Sequence, residues 1–254
     1  MKKIIKNIFK LVGFEIKKIS HKKVEIGSDK RPFGRMDFLL EDMKFRGLNC
    51  KTILDVGANT TSWSRMAKKI FSSANFCLIE PQFEMKGKLE DFCKEFENSI
   101  YILAGAGAKK EILTLTVWDD LAGSSLLPKP DENLKKEGKQ RQIEIITIDD
   151  LIDSSKISVP ELIKLDIQGF ELEALKGAKK TFGITEVYIL EVSLFSFTPD
   201  MPVFSDIVNF MLERDYVVYD FPGYMRRPFD GALGQCDICF VKREGLLRKS
   251  NDWE

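Results

Sequence analysis

Four acids, Asp55, Glu80, Asp166 and Glu191, each stand at or near the end of a short apolar run: TILDV, NFCLIE, LIKLD and VYILEV. A carboxylate at such a place can accept hydrogen bonds from hydroxyls, take up a proton, or hold a cation. Histidine chemistry is almost absent, because the only histidine of the chain is His21, inside a lysine-rich N-terminal stretch. With one imidazole, placed in that stretch, a histidine-based triad or a multi-histidine metal site is hard to assemble. Proton transfer therefore falls to carboxylates or water.

The run Asp55-Val56-Gly57-Ala58-Asn59 reads as a strand-to-helix turn. Gly57 there lets the backbone come close to a ligand, and the following helix presents free N–H groups that suit a negative ligand group. A dinucleotide fingerprint wants glycines at 57, 59 and 62, whereas this chain has Gly57, Asn59 and Ser62, so NAD or FAD is a minor alternative. Glu80 ends the second apolar run, where an acid accepts hydrogen bonds from both hydroxyls of an adenosine ribose. Read as a solvent-facing strand-end acid, it contributes little to folding. Pro81 follows it, and Gly105 and Ala106 lie at the end of the third run. A nucleoside site without pyrophosphate suits S-adenosylmethionine, whose sulfonium and ammonium favour nearby acids and whose carboxylate favours helix N–H groups. Each residue also has a plain structural reading as a turn former or solvated strand end; their order and spacing carry the functional one.

The elements that must position these residues alternate. TILDVGA, a helix over SWSRMAKKIF and NFCLIEP form a strand–helix–strand unit. A helix over MKGKLEDFCKEFE, the strand SIYILAGAG, a hairpin-like ILTLTVW and the strand IEIITI follow. LIKLDIQ, ELEALKGAKKTF, EVYILEV and VFSDIVNFMLER restore the alternation before YVVYDF and CDICFVK. Right-handed crossovers then require an α/β fold: a mostly parallel sheet with helices on both faces and ligands at the C-terminal strand ends. KPDENLKKEGKQ reads as a mobile polar loop. The 254 residues, with 39 basic and 39 acidic side chains, suit globular structure and argue against general binding to nucleic acid. No apolar run approaches the roughly 20 residues of a membrane-spanning helix. Residues 1–19 form a basic amphipathic pattern that either packs on the domain or rests on an anionic membrane surface or a partner. Residues 20–35 read as a linker, so the expected division is an extension over 1–35 and one domain over 36–254. No cleavable signal peptide is expected, and five scattered cysteines fit a reducing cytoplasm, with membrane-peripheral attachment as the alternative. Cys236 and Cys239, three apart on a strand, should face opposite ways and are read as ordinary strand residues rather than a metal or redox pair.

From about Thr52 to Val241 the sequence resembles the FkbM-type S-adenosylmethionine-dependent methyltransferases. The resembling blocks are LDVGANTTSWS, LIEPQFEMKGKL, the serine pair of LAGSSLL, ITIDDL, IKLDIQGFELEALKGA and VYILEV. The resemblance implies a Rossmann-like class I methyltransferase fold, S-adenosylmethionine as donor, and an oxygen acceptor on a sugar or other natural-product hydroxyl. Two positions depart from the pattern. Thr61 stands where a glycine is usual, so a side chain there is expected to crowd the methionine moiety. Gln168 replaces a common glutamate; an amide keeps hydrogen bonding on the cofactor side but cannot act as a base. Asp166, Gly169 and Glu171 match.

Methyl transfer from a sulfonium is an in-line displacement in which the acceptor loses a proton. Asp166 and Glu191, at neighbouring strand ends, are the candidate bases; a divalent metal held by the same acids is the disfavoured alternative for want of a dense acidic cluster. Ser124 and Ser125 follow the hairpin, where their hydroxyls bond substrate or cap the loop. FPGYMRRPFDG reads as a lid in which Tyr224 and Arg226 hold a sugar ring or phosphate. The leading expectation is O-methylation of a glycan or glycan-precursor hydroxyl; a non-catalytic nucleoside-binding or scaffold protein on the same fold is the alternative. Oligomeric state is not legible.

Overall fold

The computed structural model describes residues 26–253; the N-terminal amphipathic segment and His21 lie outside them. In chain order the elements are α1 (Met36–Phe45), β1 (Thr52–Val56), α2 (Ser62–Ile70), β2 (Asn75–Ile79), α3 (Lys86–Glu95), β3 (Ile100–Ile102), β4 (Gly105–Ala106), β5 (Glu111–Thr116), α4 (Glu132–Lys136), β6 (Gln140–Ile146), α5 (Ile148–Asp153), β7 (Leu162–Leu165), α6 (Glu171–Lys176), β8 (Val187–Ser193), α7 (Phe204–Leu212), β9 (Tyr216–Arg226) and β10 (Leu233–Lys242). Among these described helices none is long and apolar enough to cross a membrane.

Seven strands form one sheet in the order β3-β2-β1-β7-β8-β10-β9. The first five are parallel, and β10 enters antiparallel between β8 and β9. This is the Rossmann-like α/β architecture expected from the strand–helix alternation, with the order reversing between β1 and β7, where such sheets bind ligands. Burial on both faces explains why the strands read as unbroken apolar runs. One face packs Leu54, Val56, Ile163, Leu165 and Leu190 with Tyr188, Tyr216 and Ile207. The other packs Ile53, Leu162, Val187 and Ile189 with Leu39, Leu40 and Ala67 of the N-terminal helices. Cys236 lies in the first core and Cys239 in the second, so the pair does face opposite ways, and all five thiols are free.

Three elements differ from expectation. ILTLTVW makes no tight hairpin: β5 pairs antiparallel with the distant β6, which also takes β4 in parallel, giving a second, three-stranded sheet. The polar segment before β6 contains a helix, α4, because the Asp131 carboxylate accepts the N–H groups of Asn133 and Leu134 and caps it. FPGYMRRPFDG is largely strand. β9 runs to Arg226, and Pro222 is tolerated because β9 is the edge of the sheet.

Candidate active site

The turn after β1 is built around Gly57, at φ +83, where a Cβ would lie 1.9 Å from the Asp166 carbonyl oxygen. The glycine is thus demanded by close approach of β7 as well as by its left-handed backbone. The turn's own N–H groups are consumed within the protein. Those of Gly57 and Ala58 reach the Ile79 carbonyl, that of Asn59 the Glu80 carboxylate, and that of Thr60 the Asn59 side chain. The N–H groups of the first α2 turn, beginning at Ser62, have no acceptor within the helix.

Glu80 is 2% exposed, not solvent-facing as its strand-end position implied. Its Oε2 accepts from Asn59 N–H at 2.9 Å and its Oε1 from Gln82 N–H at 2.9 Å. Burial raises its pKa against those bonds. Each oxygen holds one backbone donor, and a carboxylate offers about four acceptor sites. Asp55 is fully buried, accepts from the Ser64 hydroxyl at 2.5 Å, and lines neither cavity described below; it organises the turn from beneath.

Two cavities meet over the C-terminal edge of the sheet, sharing Gly57, Asn59, Asp166 and Glu191. The first, about 440 Å³, is bounded by Glu80, Pro81, Gly105, Ala106, Ser124, Ser125 and Gln168, with apolar wall from Ile79, Ala104, Leu115 and Leu126. Both serines also knit the loop: the Ser124 hydroxyl bonds the Gln82 side chain and the Ser125 hydroxyl donates to the Gln168 carbonyl at 2.8 Å. The second, about 470 Å³, lies against Met36, Ala58, Ser62, Trp63, Met66, Lys164 and Asp237. Tyr224 and Arg226 line neither cavity. Alternation along β9 places the intervening Met225 in the first cavity instead, and the Arg226 guanidinium donates to the Gly231 carbonyl across the hairpin turn.

Register sets the chemistry between the cavities. Leu165 pairs with Leu190, so Asp166 and Glu191 stand side by side one residue further on, and Glu191 pairs in turn with Asp237. Three carboxylates therefore lie in a row across β7, β8 and β10. The Lys164 ammonium, buried beneath, is 2.9 Å from Asp166 and 3.8 Å from Asp55. Burial alone would raise Asp166, but Lys164 outweighs it and holds the carboxyl below its ordinary range. Burial, and then the negative charge of Asp166, push Glu191 up to about 9, so it carries a proton at neutral pH. The pair shares one proton, as like charges side by side must.

Gln168, at φ +54, donates through Nε2 to Asp166 at 3.2 Å and to Glu191 at 2.6 Å, and Gln235 donates to the same Glu191 oxygen at 3.2 Å. An amide at 168 bridges the two acids where a glutamate would add a third charge. Glu171, on the sequence only a matching position, organises this loop: it is 2% exposed, accepts the N–H groups of Ile167 and Gly169, and is pushed up to about 7 by burial. Thr61 is fully buried outside both cavities, at φ 65, with its hydroxyl accepting from Arg65, so it does not crowd the site. Trp63, Met66, Gln235 and Asp237 were not legible as site residues, since only the sheet order and register bring them there. Among the described residues no group of three or more acids, histidines or cysteines is arranged to hold a metal ion.

A family model described as the methyltransferase FkbM domain matches residues 55–218, more than half of the chain. The chain belongs to the FkbM methyltransferase family. Its activity is accordingly methyl transfer with S-adenosylmethionine as cofactor. No curated protein matches it. Solved structures similar to it include a precorrin-6y C5,15-methyltransferase from Geobacter metallireducens (14% identity over 88% of this chain and 93% of that one, TM-score 0.45). Another is a magnesium protoporphyrin IX methyltransferase from Synechocystis with bound S-adenosylmethionine (11% identity, 95% and 96% covered, TM-score 0.43). A third is the Aeropyrum pernix fibrillarin with the same cofactor (10% identity, 77% and 71% covered, TM-score 0.43). The first cavity suits the donor on its own terms. Its volume lies within the range of small-molecule sites, its walls offer apolar cover for a purine, and each Glu80 oxygen has acceptor capacity beyond its one backbone bond.

Proposed function

We propose that this FkbM-family methyltransferase methylates a hydroxyl of a sugar or glycan precursor. The observation that carries the reading is the one-proton pair of Asp166 and Glu191 at the junction of two cavities, since an unactivated hydroxyl needs an acceptor for its proton. In this arrangement Glu80 holds the ribose hydroxyls. Pro81, Gly105 and Ala106 cover the base, and Asn59 and Gln168 flank the chain that runs towards Ser62 at the start of α2. S-adenosylmethionine supplies the electrophilic methyl on its sulfonium. The protein's own contribution is alignment and proton transfer. The acceptor would enter through the second cavity, and the Asp166–Glu191 pair, which has room for one more proton, would take the proton its hydroxyl loses. Gln168 and Gln235 fix Glu191, while Lys164 keeps Asp166 ionised and ready to accept.

The basic pattern over residues 1–19 supports peripheral attachment to an anionic membrane, which would bring the enzyme to a membrane-borne glycan precursor. A screen with methyl-labelled donor against glycan and natural-product acceptors tests the substrate class. Transfer to sugar hydroxyls, lost in Asp166→Asn, is the expected result; transfer only to amines, thiols or phenols contradicts it.

A further inference from the structure

Asp237 stands out within the carboxylate row because it is held only by the longer-range attraction of Lys164 and by no direct bond. Asp166 has Lys164, and Glu191 has two amides, but among the described residues no hydrogen bond or ion pair ends on the Asp237 carboxylate. Space is nonetheless kept for it. Its cross-strand partner on β9 is Gly223, where a Cβ would lie 2.1 Å from Asp237 Oδ2 and 3.1 Å from its Cγ. Burial, followed by the charge of Asp166, pushes the carboxyl up to about 6, so it remains mostly ionised at neutral pH. The carboxylate is half-buried and faces the second cavity, so its acceptor sites are open to a ligand that enters there.

Position says which ligand. The donor cavity runs from the ends of β2 and β1 past β7 and touches β10 only at Gln235, whereas Asp237 lines the second cavity alone, two strands beyond Asp166 and so about 10 Å away at ordinary strand spacing. It lines the second cavity opposite the apolar surfaces of Trp63, Met36 and Met66. Lys164 lies 5.8 Å over the Trp63 ring and is kept charged by Asp166 and Asp55, which disfavours a cationic ligand on that ring. Asp237 itself opposes an anionic one. What remains is a neutral molecule with an apolar face and a hydroxyl edge.

We propose that Asp237 is the acceptor-recognition residue, accepting hydrogen bonds from hydroxyls of a neutral sugar ring that lies against Trp63. The assignment rests on the sugar O-methyltransfer reading and gives it a specificity determinant. Gly223 is part of the device, because any side chain there displaces the carboxylate.

The test follows the Trp63 indole N–H by nitrogen-15 NMR in the full chain saturated with S-adenosylhomocysteine. Trp63→Phe assigns the signal among the three tryptophans. A panel of methyl pyranosides is titrated into wild type, Asp237→Ala and Gly223→Ala. The expected result is a saturable shift in wild type with affinity at least about tenfold weaker in both variants. Both variants should keep the wild-type melting temperature and S-adenosylhomocysteine affinity. An unchanged pyranoside response in Asp237→Ala overturns the assignment alone. A loss of S-adenosylhomocysteine affinity in that variant also overturns it, by moving Asp237 to the donor's ammonium. If wild type binds S-adenosylhomocysteine yet answers to choline and to no pyranoside, both the assignment and the sugar reading fail.

Discussion

Replacing Glu191 by glutamine removes a titratable proton at the β8 strand end while keeping shape and hydrogen-bonding capacity. Glu191 is half-buried beside Asp166 and pushed up to about 9, whereas an unfolded glutamate titrates near 4.3. The folded state therefore binds one more proton than the unfolded state between these limits, and stability falls with rising pH by about 1.4 kcal/mol per unit. The contribution is fully present below the ordinary glutamate range and is lost as pH rises through about 9. Between pH 6 and 8, wild type should lose about 2–3 kcal/mol relative to Glu191→Gln, whose amide does not titrate. Urea unfolding at half-unit pH steps measures this as diverging stability curves. Glu171 and Asp237, pushed up to about 7 and about 6, titrate in both proteins and largely cancel in the difference. Parallel curves over this window would show that Glu191 is ionised in the folded protein and would remove the one-proton pair from the mechanism.

Glu80→Gln should weaken S-adenosylhomocysteine binding by about tenfold to a hundredfold, as expected for charged hydrogen bonds, and should also lower the melting temperature because one buried turn N–H loses its acceptor. Calorimetry and thermal melts check both. Gly57→Ala should destabilise by about 3 kcal/mol or more, since its Cβ meets a backbone carbonyl in a left-handed conformation, whereas Gly138→Ala, also at positive φ but with nothing within 4 Å, should cost only about 1 kcal/mol. Chemical denaturation compares them. Deleting residues 1–19 should abolish salt-sensitive sedimentation with acidic vesicles while leaving S-adenosylhomocysteine affinity unchanged. A drop in melting temperature with exposed apolar surface would instead show that the segment packs on the domain.

The architecture was legible because parallel strands buried on both faces read as unbroken apolar runs and their connecting helices as amphipathic ones. The Gly57 turn, Glu80 and the Asp166–Glu191 adjacency followed from the same logic, since such strands end at one edge. Burial at that edge was not legible. Glu80 looked solvated from its position, yet its carboxylate is the hub on which two loops fold. Pro222 and Gly223 signalled a loop, but an edge strand tolerates the proline, and the glycine makes room for a carboxylate on a neighbouring strand. Tyr224 and Arg226 were consequently placed in a lid, and Asp237 was passed over as part of an ordinary strand. Long-range register, which no local pattern encodes, decides these roles.

The most direct test of the central claim is isothermal titration of the full chain with S-adenosylhomocysteine, in wild type and Glu80→Gln. Saturable binding at one site in wild type, weakened at least about tenfold by the substitution, is the predicted result. No binding at millimolar ligand, or binding indifferent to Glu80, would contradict the donor site built on Gly57 and Glu80.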